Sequence, residues 1–320
     1  MLYNRCYGLS PVAGIVEDTA QQIFDMRIRG AGRIARAGAS AIGEFARTYE
    51  GDSLERFLRD LDGAVATIIA SRPTAVSLRN GVLSAVKGVS SASTLEEAKV
   101  MAAENAERFA RSSSKAVETI AAIGAKRIKD GDTVLTHCNS SAAVGVIKEA
   151  SRQGKSVKVY ATETRPWRQG IVTVRELADA GIDVTLIVDS AVRSVMRNVD
   201  EVFVGADTIT SDGVLINKVG TSQIALAANE ARVPFYVCAE TYKFSPLTLS
   251  GDTVVIEERD AAEVAKPGEI PDSVKIFNPV FDSTPGRYID ALITEEGLIP
   301  PGAVYSVMCR LWGVQTPFKE

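Results

Sequence analysis

The first third of the chain has a helical pattern of apolar positions. From Val16 to about Arg127, apolar residues recur at intervals of three and four along an alanine-rich stretch. That period places them on one face of a helix, so the stretch predicts an all-helical amino-terminal domain. The predicted helices are Val16–Met26, Arg33–Tyr49, Leu54–Ser71, Thr74–Lys87 and Leu95–Lys126.

The pattern changes after Asp130-Gly131-Asp132, where short β-branched runs begin to alternate with helical stretches. Such alternation predicts an α/β domain with a doubly wound parallel sheet. We therefore expect two domains, residues 1–128 and 129–320. The predicted strands are Thr133–Thr136, Val157–Thr162, Val184–Val188, Val202–Gly205, Phe235–Ala239, Val254–Ile256 and Val274–Phe277, and the helices between them are Ala142–Gln153, Ile171–Ala180, Ser190–Met196 and Thr221–Ala231.

Charge and composition exclude several classes of protein. A net charge of −4 without a long basic run argues against a nucleic-acid partner. The amino end has no apolar signal segment, and no run of about 18 apolar residues predicts a membrane span. The four cysteines form no CxxC pair, and His137 is the only histidine, so we expect neither a metal site nor a disulfide framework, and no cofactor. These features predict a cytoplasmic protein.

The segment TVLTHCNSSAA, from Thr133 to Ala143, predicts a strand, a small polar loop and a helix start. A helix amino terminus presents backbone N–H groups to an anion. Its dipole lowers the pKa of a nearby thiol, so we expect a reactive Cys138. Cys238 and Cys309 lie in apolar runs and fit small buried hydrophobes. His137 faces away from Cys138 on the strand, which favours a structural role.

Polar residues also follow other predicted strands. Asp207 comes after the strand Val202–Val204, where a carboxylate serves either in acid–base chemistry or as a turn or helix cap before Thr208. Lys218 and Gly220 precede a helix and predict a second phosphate site, to which Lys243 adds a further cation.

Two arginine-containing loops each have two interpretations. The segment Arg27–Arg33 combines arginines and glycines before a helix, as in a phosphate-binding loop, or is a link between helices with solvated arginines. The loop Glu163–Gly170 either contacts ligand through Arg168 or Gln169 or is a rigid surface turn.

Six segments resemble, in order and spacing, the translation initiation factor 2B alpha/beta/delta family, which includes sugar-phosphate aldose–ketose isomerases. They are RGAGRIAR, THCNSSA, ETRPWRQG, GADTI, NKVGTSQIALAA and NPVFDSTP, and they span nearly the whole chain. The resemblance implies a helical amino-terminal domain and a Rossmann-like doubly wound parallel sheet domain. It also implies a homo-oligomer, either a dimer or a trimer of dimers, and AMP as a candidate activator.

The resemblance assigns site residues as well. The proton acceptor of the family falls on Cys138 and the proton donor on Asp207. Contacts to a phosphorylated ribose substrate fall on Arg29, Gly30, Ala31, Gly32, Arg72, Ser140, Ser141, Ala142, Asn217, Lys218 and Lys243.

Three activities compete within the resemblance. The first converts α-D-ribose 1,5-bisphosphate to D-ribulose 1,5-bisphosphate in AMP and nucleoside salvage, by proton transfer through a phosphoenolate, with hydride transfer as the rival mechanism. The second isomerises methylthioribose 1-phosphate, which needs an apolar pocket instead of a second phosphate site; Arg29, Arg72 and Lys243 favour the bisphosphate. The third is a non-catalytic regulatory subunit, against which the pair Cys138 and Asp207 argues.

Overall fold

The computed structural model describes residues 11–246, 248, 251 and 254–313, so Cys6 lies outside the described residues. The chain forms two compact units, Met1–Lys115 and Ala116–Glu320. The predicted domain boundary at residues 128 and 129 falls later in the chain and stays a prediction. No helix in the described part of the chain is long and apolar enough to cross a bilayer.

The first unit is helical, as predicted. Its helices are α1 (Pro11–Phe24), α2 (Ala31–Arg47), α3 (Leu54–Ala70), α4 (Val76–Ala85) and α5 (Leu95–Gly124), of which α5 continues into the second unit.

Capping residues define where α5 begins. The Thr94 hydroxyl accepts the Glu97 N–H at 3.2 Å, while the Glu97 carboxylate accepts the Ser93 N–H at 2.7 Å. This reciprocal arrangement satisfies backbone donors that the first helical turn leaves unpaired. Glycines bring α2 and α4 together: a Cβ on Gly81 would lie 2.8 Å from the carbonyl oxygen of Ala35.

The second unit alternates strands and helices. Its elements are β1 (Thr133–Thr136), α6 (Ser141–Arg152), β2 (Lys158–Thr162), α7 (Gly170–Asp179), β3 (Asp183–Ile187), α8 (Val192–Val195), β4 (Glu201–Val204), β5 (Thr208–Thr210), β6 (Leu215–Lys218), α9 (Thr221–Ala231), β7 (Phe235–Cys238), β8 (Phe244–Ser245), β9 (Phe281–Thr284), β10 (Ala291–Thr294), β11 (Gly297–Ile299) and α10 (Val304–Trp312).

The main sheet has the strand order β11-β10-β7-β4-β1-β2-β3. Its strands are parallel except for the edge strand β11, which pairs antiparallel to β10. Alternate residues of β1 are buried in different cores: Leu135 packs among residues of α8, α9 and α10, and Val134 among residues of α6. A sheet covered on both faces confirms the predicted doubly wound α/β class.

Two predicted strands are wrong. Residues 254–256 and 274–277 form no strand, and the nearest pairing is an isolated bridge between Glu258 and Pro279. Val255 is 77% exposed and Phe277 72% exposed, so neither run buries the apolar face that stabilises a strand.

A small mixed sheet, which the sequence did not predict, has the order β8-β5-β6-β9. Its strands have two to four residues, so a period-2 pattern is hard to recognise in them. The sheet follows directly on the end of β4, and β6 carries Asn217 and Lys218.

Candidate active site

Cys138 and Asp207 follow two adjacent central strands of the main sheet. Thr136 of β1 is paired with Phe203 of β4, and the chain continues from β1 into α6 and from β4 into the small sheet. The strand order reverses at this pair, because β2 and β3 lie on one side of β1 and β4, β7 and β10 on the other. Doubly wound sheets bind ligands in the crevice beyond the carboxyl ends of the strands at such a reversal.

Burial and nearby charges both affect the pKa of Cys138. Burial raises the pKa of Cys138 to about 11, the ammonium of Lys218 lowers it, and the carboxylates of Asp207 and Asp189 raise it. The predicted lowering of this pKa by the α6 dipole is therefore wrong, because desolvation of the thiolate outweighs it. Asp207 and Lys218 thus have opposite electrostatic effects on the pKa of the thiol.

The backbone of Cys138 is left-handed, with φ at 66°. Its N–H donates to the hydroxyl of Thr164 at 2.9 Å, and its carbonyl accepts from the hydroxyl of Thr173 at 2.7 Å. Sequence reasoning missed both threonines. Thr164 and Thr173 lie 26 and 35 residues along the chain from Cys138, and no local sequence pattern indicates that they contact it.

The α6 amino terminus faces the same crevice. Ser140 caps the helix by accepting the Ala143 N–H at 3.3 Å. Ser141 is exposed and Ala142 buried, and in the described part of the chain their backbone N–H groups donate to no protein acceptor. These amides fit the predicted anion contact at residues 140–142.

A carboxylate of the protein binds the amino terminus of α9, next to the segment for which the sequence predicts a second phosphate site. The carboxylate of Asp282 accepts hydrogen bonds from the backbone N–H groups of Gly220, at 2.7 Å, and Ser222, at 3.1 Å. Asn217 also points inward, donating to the hydroxyl of Thr221 at 3.0 Å. Lys218 is the residue of this segment whose charge acts on the thiol.

Lys243 is buried in an ion pair. Its ammonium lies 2.6 Å from the carboxylate of Glu240. Burial alone would raise the pKa of Glu240, but the charge of Lys243 and its hydrogen bond outweigh burial, so the pKa is lowered. Lys243 therefore lies just beyond the end of β7, where the carboxylate of Glu240 balances its charge.

His137 is structural, as its position on the strand suggested. The ring is 1% exposed, with Nε2 at 2.9 Å from the carbonyl of Val219 and Nδ1 at 2.5 Å from the hydroxyl of Thr162. Because a carbonyl only accepts, Nε2 carries the proton and Nδ1 accepts from the threonine. Burial lowers the pKa of His137 to about 4, so the ring is neutral and links β2 to the end of β6.

The loop Glu163–Gly170 has the features of a rigid turn. Asp189 accepts the N–H groups of Thr164 and Arg165, each at 2.8 Å, and Arg168 pairs with Glu163 at 3.4 Å. The Oε1 atom of Gln169 is buried and has no hydrogen-bond partner in the described part of the chain, which keeps a ligand contact through Gln169 open.

The remaining predicted residues belong to the first unit. Gly30, with φ at 91°, directly precedes α2, so Ala31 and Gly32 form the first turn of that helix. Arg29 and Arg72 are half-buried, and Arg72 Nη1 lies 3.6 Å from the sulfur of Met26. A glycine-led helix start next to arginines fits the phosphate-binding interpretation of this segment.

Comparisons with known proteins show the family of the chain. The sequence pattern of the Initiation factor 2 subunit family matches residues 27–301. The chain is 52% identical over 299 residues to the ribose 1,5-bisphosphate isomerase of Methanocaldococcus jannaschii, covering 93% of this chain and 96% of that protein. It is 36% identical over 299 residues to the methylthioribose-1-phosphate isomerase of Thermosipho africanus, covering 89% of this chain and 86% of that protein. The crystal structure of translation initiation factor eIF-2B from Pyrococcus horikoshii OT3 superposes with a TM-score of 0.77 at 34% identity, covering 89% of this chain and 97% of that one.

Proposed function

The chain belongs to the Initiation factor 2 subunit family, and from that membership we propose that it converts α-D-ribose 1,5-bisphosphate to D-ribulose 1,5-bisphosphate. It is an isomerase, because relatives that match nearly its whole length are named ribose 1,5-bisphosphate isomerase. The observation that supports isomerase chemistry is the placement of Cys138 and Asp207 after adjacent strands at the reversal of the sheet, with Lys218 acting on the same thiol. The bisphosphate is favoured as substrate because the chain is 52% and 53% identical to two ribose 1,5-bisphosphate isomerases, and 39% and 36% identical to two proteins named putative methylthioribose-1-phosphate isomerase and methylthioribose-1-phosphate isomerase.

In the proposed reaction Asp207, in its acid form, protonates the ring oxygen of the sugar, and the bond from that oxygen to C1 breaks. The thiolate of Cys138 then removes the proton from C2, and the electrons of the C–H bond form the C1–C2 double bond of an enol phosphate. Return of a proton from sulfur to C1 and loss of the C2 hydroxyl proton to Asp207 give the ketose and restore both residues.

Burial and the charge of Lys218 have opposite effects on the protonation of Cys138. Because the pKa of Cys138 is raised to about 11, the proton rests on sulfur at neutral pH, and Lys218 is the group that favours the thiolate. A general base works best when its pKa lies near the operating pH, so the ammonium of Lys218, which lowers the pKa of Cys138, increases the fraction in the reactive form.

Phosphate recognition is proposed on two separate grounds. The amides of Ser141 and Ala142 and the charge of Lys218 suit one phosphate. The family resemblance assigns further contacts to Arg29, Gly30, Ala31, Gly32, Arg72, Asn217 and Lys243. We carry over from the same resemblance AMP salvage, activation by AMP, a cytoplasmic location and assembly as a dimer or a trimer of dimers.

The experiment offers purified protein two substrates, ribose 1,5-bisphosphate and methylthioribose 1-phosphate, and measures ketose by NMR. We expect ketose from the bisphosphate. We also expect Cys138→Ser and Asp207→Asn to lower kcat by about 10²- to 10⁴-fold while folded, as for loss of an acid or base.

Ketose from methylthioribose 1-phosphate alone would transfer the assignment to the sister activity. Near-normal turnover by both variants would exclude the Cys–Asp mechanism and leave hydride transfer. Binding of initiation factor 2 without turnover of either sugar would identify a regulatory subunit.

A further inference from the structure

Two buried threonines hold the peptide groups on both sides of Cys138. Thr164 Oγ1 accepts the N–H of Cys138 at 2.9 Å, and Thr173 Oγ1 donates to its carbonyl at 2.7 Å. Both threonine residues are 0% exposed. We infer that Thr164 and Thr173 are positioning residues that fix the direction of the Cys138 thiol. This inference rests on the proposed function of Cys138 as the base.

The conformation of Cys138 needs support from outside the residue. At φ 66° its Cβ is crowded against its own carbonyl, a conformation that glycine adopts freely. Asparagine and aspartate tolerate it because their side chains hydrogen-bond to nearby backbone, whereas a thiol is a poor partner for such a bond. A left-handed cysteine persists when its surroundings determine the backbone on both sides.

Each threonine is in turn held by a second group. The N–H groups of Thr164 and Arg165 donate to the two carboxylate oxygens of Asp189, at 2.8 Å each. Thr173 lies in α7 and accepts a hydrogen bond from Asn139 Nδ2 at 3.1 Å. We call the hydrogen bonds of Thr164 and Thr173 to the backbone of Cys138 the threonine clamp. This clamp connects the end of β1 to the loop after β2, to the turn after β3 and to α7.

The clamp acts on the reaction through the backbone. The threonine hydroxyls are engaged with peptide groups, so their loss changes the angle and distance at which sulfur meets C2, and an error of about 1 Å lowers a rate by about 10²-fold. Substrate binding depends on other groups. Loss of the clamp is thus expected to lower kcat and to leave KM nearly constant.

The test compares Thr164→Val and Thr173→Val with Thr164→Ser and Thr173→Ser. Valine keeps the shape and removes the hydrogen bond, and serine keeps the hydroxyl. Thr284→Val is the matched control, because Thr284 is also 0% exposed and its Oγ1 has no hydrogen-bond partner in the described part of the chain. We expect kcat to fall at least about tenfold in each valine variant, to recover largely in the serine variants and to stay unchanged in Thr284→Val. Asp189→Asn, which replaces one acceptor oxygen by a donor, is expected to give a smaller loss.

A second measurement needs no substrate. Alkylation of Cys138 by iodoacetamide, located by peptide mass spectrometry, is expected to be severalfold faster in the valine variants, since a released peptide exposes the sulfur to solvent. Unchanged alkylation and kcat in folded valine variants would overturn the positioning role, as would a loss of kcat that serine does not restore. Retained turnover in Cys138→Ser would instead refute the proposed mechanism, and the alkylation rates would still decide whether the threonines orient the thiol.

Discussion

Ser140 occupies the space that a side chain on Gly205 would need: a Cβ on Gly205 would lie 2.5 Å from the Cβ of Ser140. Gly205 follows β4 and Ser140 caps α6, so this contact sets the spacing between the strand that leads to Asp207 and the helix that follows Cys138. The missing side chain at residue 205 is therefore part of the candidate site.

Gly205→Ala is expected to destabilise the fold by about 1–3 kcal/mol, the usual cost of overpacking, because the backbone of β4 and the capped turn cannot both stay in place. We also expect kcat/KM to fall, since Ser140 would move. Urea unfolding and steady-state kinetics measure the two effects. The control is Gly63→Ala in α3, where no atom lies within 4 Å of the new Cβ and the alanine is expected to stabilise by about 0.5–1 kcal/mol. Stability equal to the wild type in Gly205→Ala would contradict the contact.

The two charges that act on Cys138 are expected to shift its thiol pKa in opposite directions. Lys218→Gln removes the group that lowers this pKa and should raise it further, whereas Asp207→Asn removes a carboxylate that raises it and should lower it. The pH dependence of iodoacetamide alkylation at Cys138 measures both shifts. Shifts of the same sign, or none, would mean that the two side chains do not share the crevice with the thiol.

The main fold follows from its sequence because each central strand is a buried apolar run. Val134 and Leu135 of β1 are both fully buried, on opposite faces, so the run is apolar without alternation and is typical of a covered parallel strand. Val255 and Phe277 show the limit of this rule. Their runs are also rich in apolar residues, but Val255 is 77% exposed and Phe277 72% exposed, and the local sequence does not show which apolar runs are covered.

The candidate site was predictable where residue type and strand end determine it. The predicted strand ends place Cys138 and Asp207 at one edge of the sheet, because the carboxyl ends of parallel strands converge, and the family resemblance assigns their roles. The side chains that accept backbone N–H groups could not be predicted. Asp282, for example, lies 60 residues or more along the chain from the start of α9, which it caps, and no local pattern links the two. The pKa of Cys138 was also mispredicted, because a sequence shows the helix dipole but not the desolvation that opposes it.

Glu201 is expected to make the stability of the protein fall as pH rises. It opens β4, its Oε2 atom is buried without a hydrogen-bond partner in the described part of the chain, and burial raises the pKa of Glu201 from 4.5 to about 7. The folded state therefore favours the protonated acid. Its contribution is fully present below pH 4.5 and is lost as pH rises through 7.

Glu201→Gln stays neutral and should remove this dependence. Because the side chain is partly exposed, we expect the variant to be more stable than the wild type by only about 1–2 kcal/mol above pH 7, and equally stable near pH 4.5. Chemical unfolding at a series of pH values measures the difference. A gap between the two proteins that does not change from pH 4.5 to 8 would contradict a shifted carboxyl.

His137 is expected to stay neutral down to about pH 4 and to weaken the fold in acid. Burial lowers the pKa of His137 from 6.5 to about 4, so the unfolded chain takes up a proton between these values and the folded protein does not. Stability should fall as pH drops from 6.5 towards 4, by about 3 kcal/mol from this residue. The chain has one histidine, so a single imidazole signal in an NMR titration gives the pKa directly.

His137→Gln cannot take up the proton and should lose this acid dependence, although it also disturbs the bonds to Thr162 and Val219. A signal that titrates near pH 6.5 in the folded protein would show that the ring is not held between these two partners.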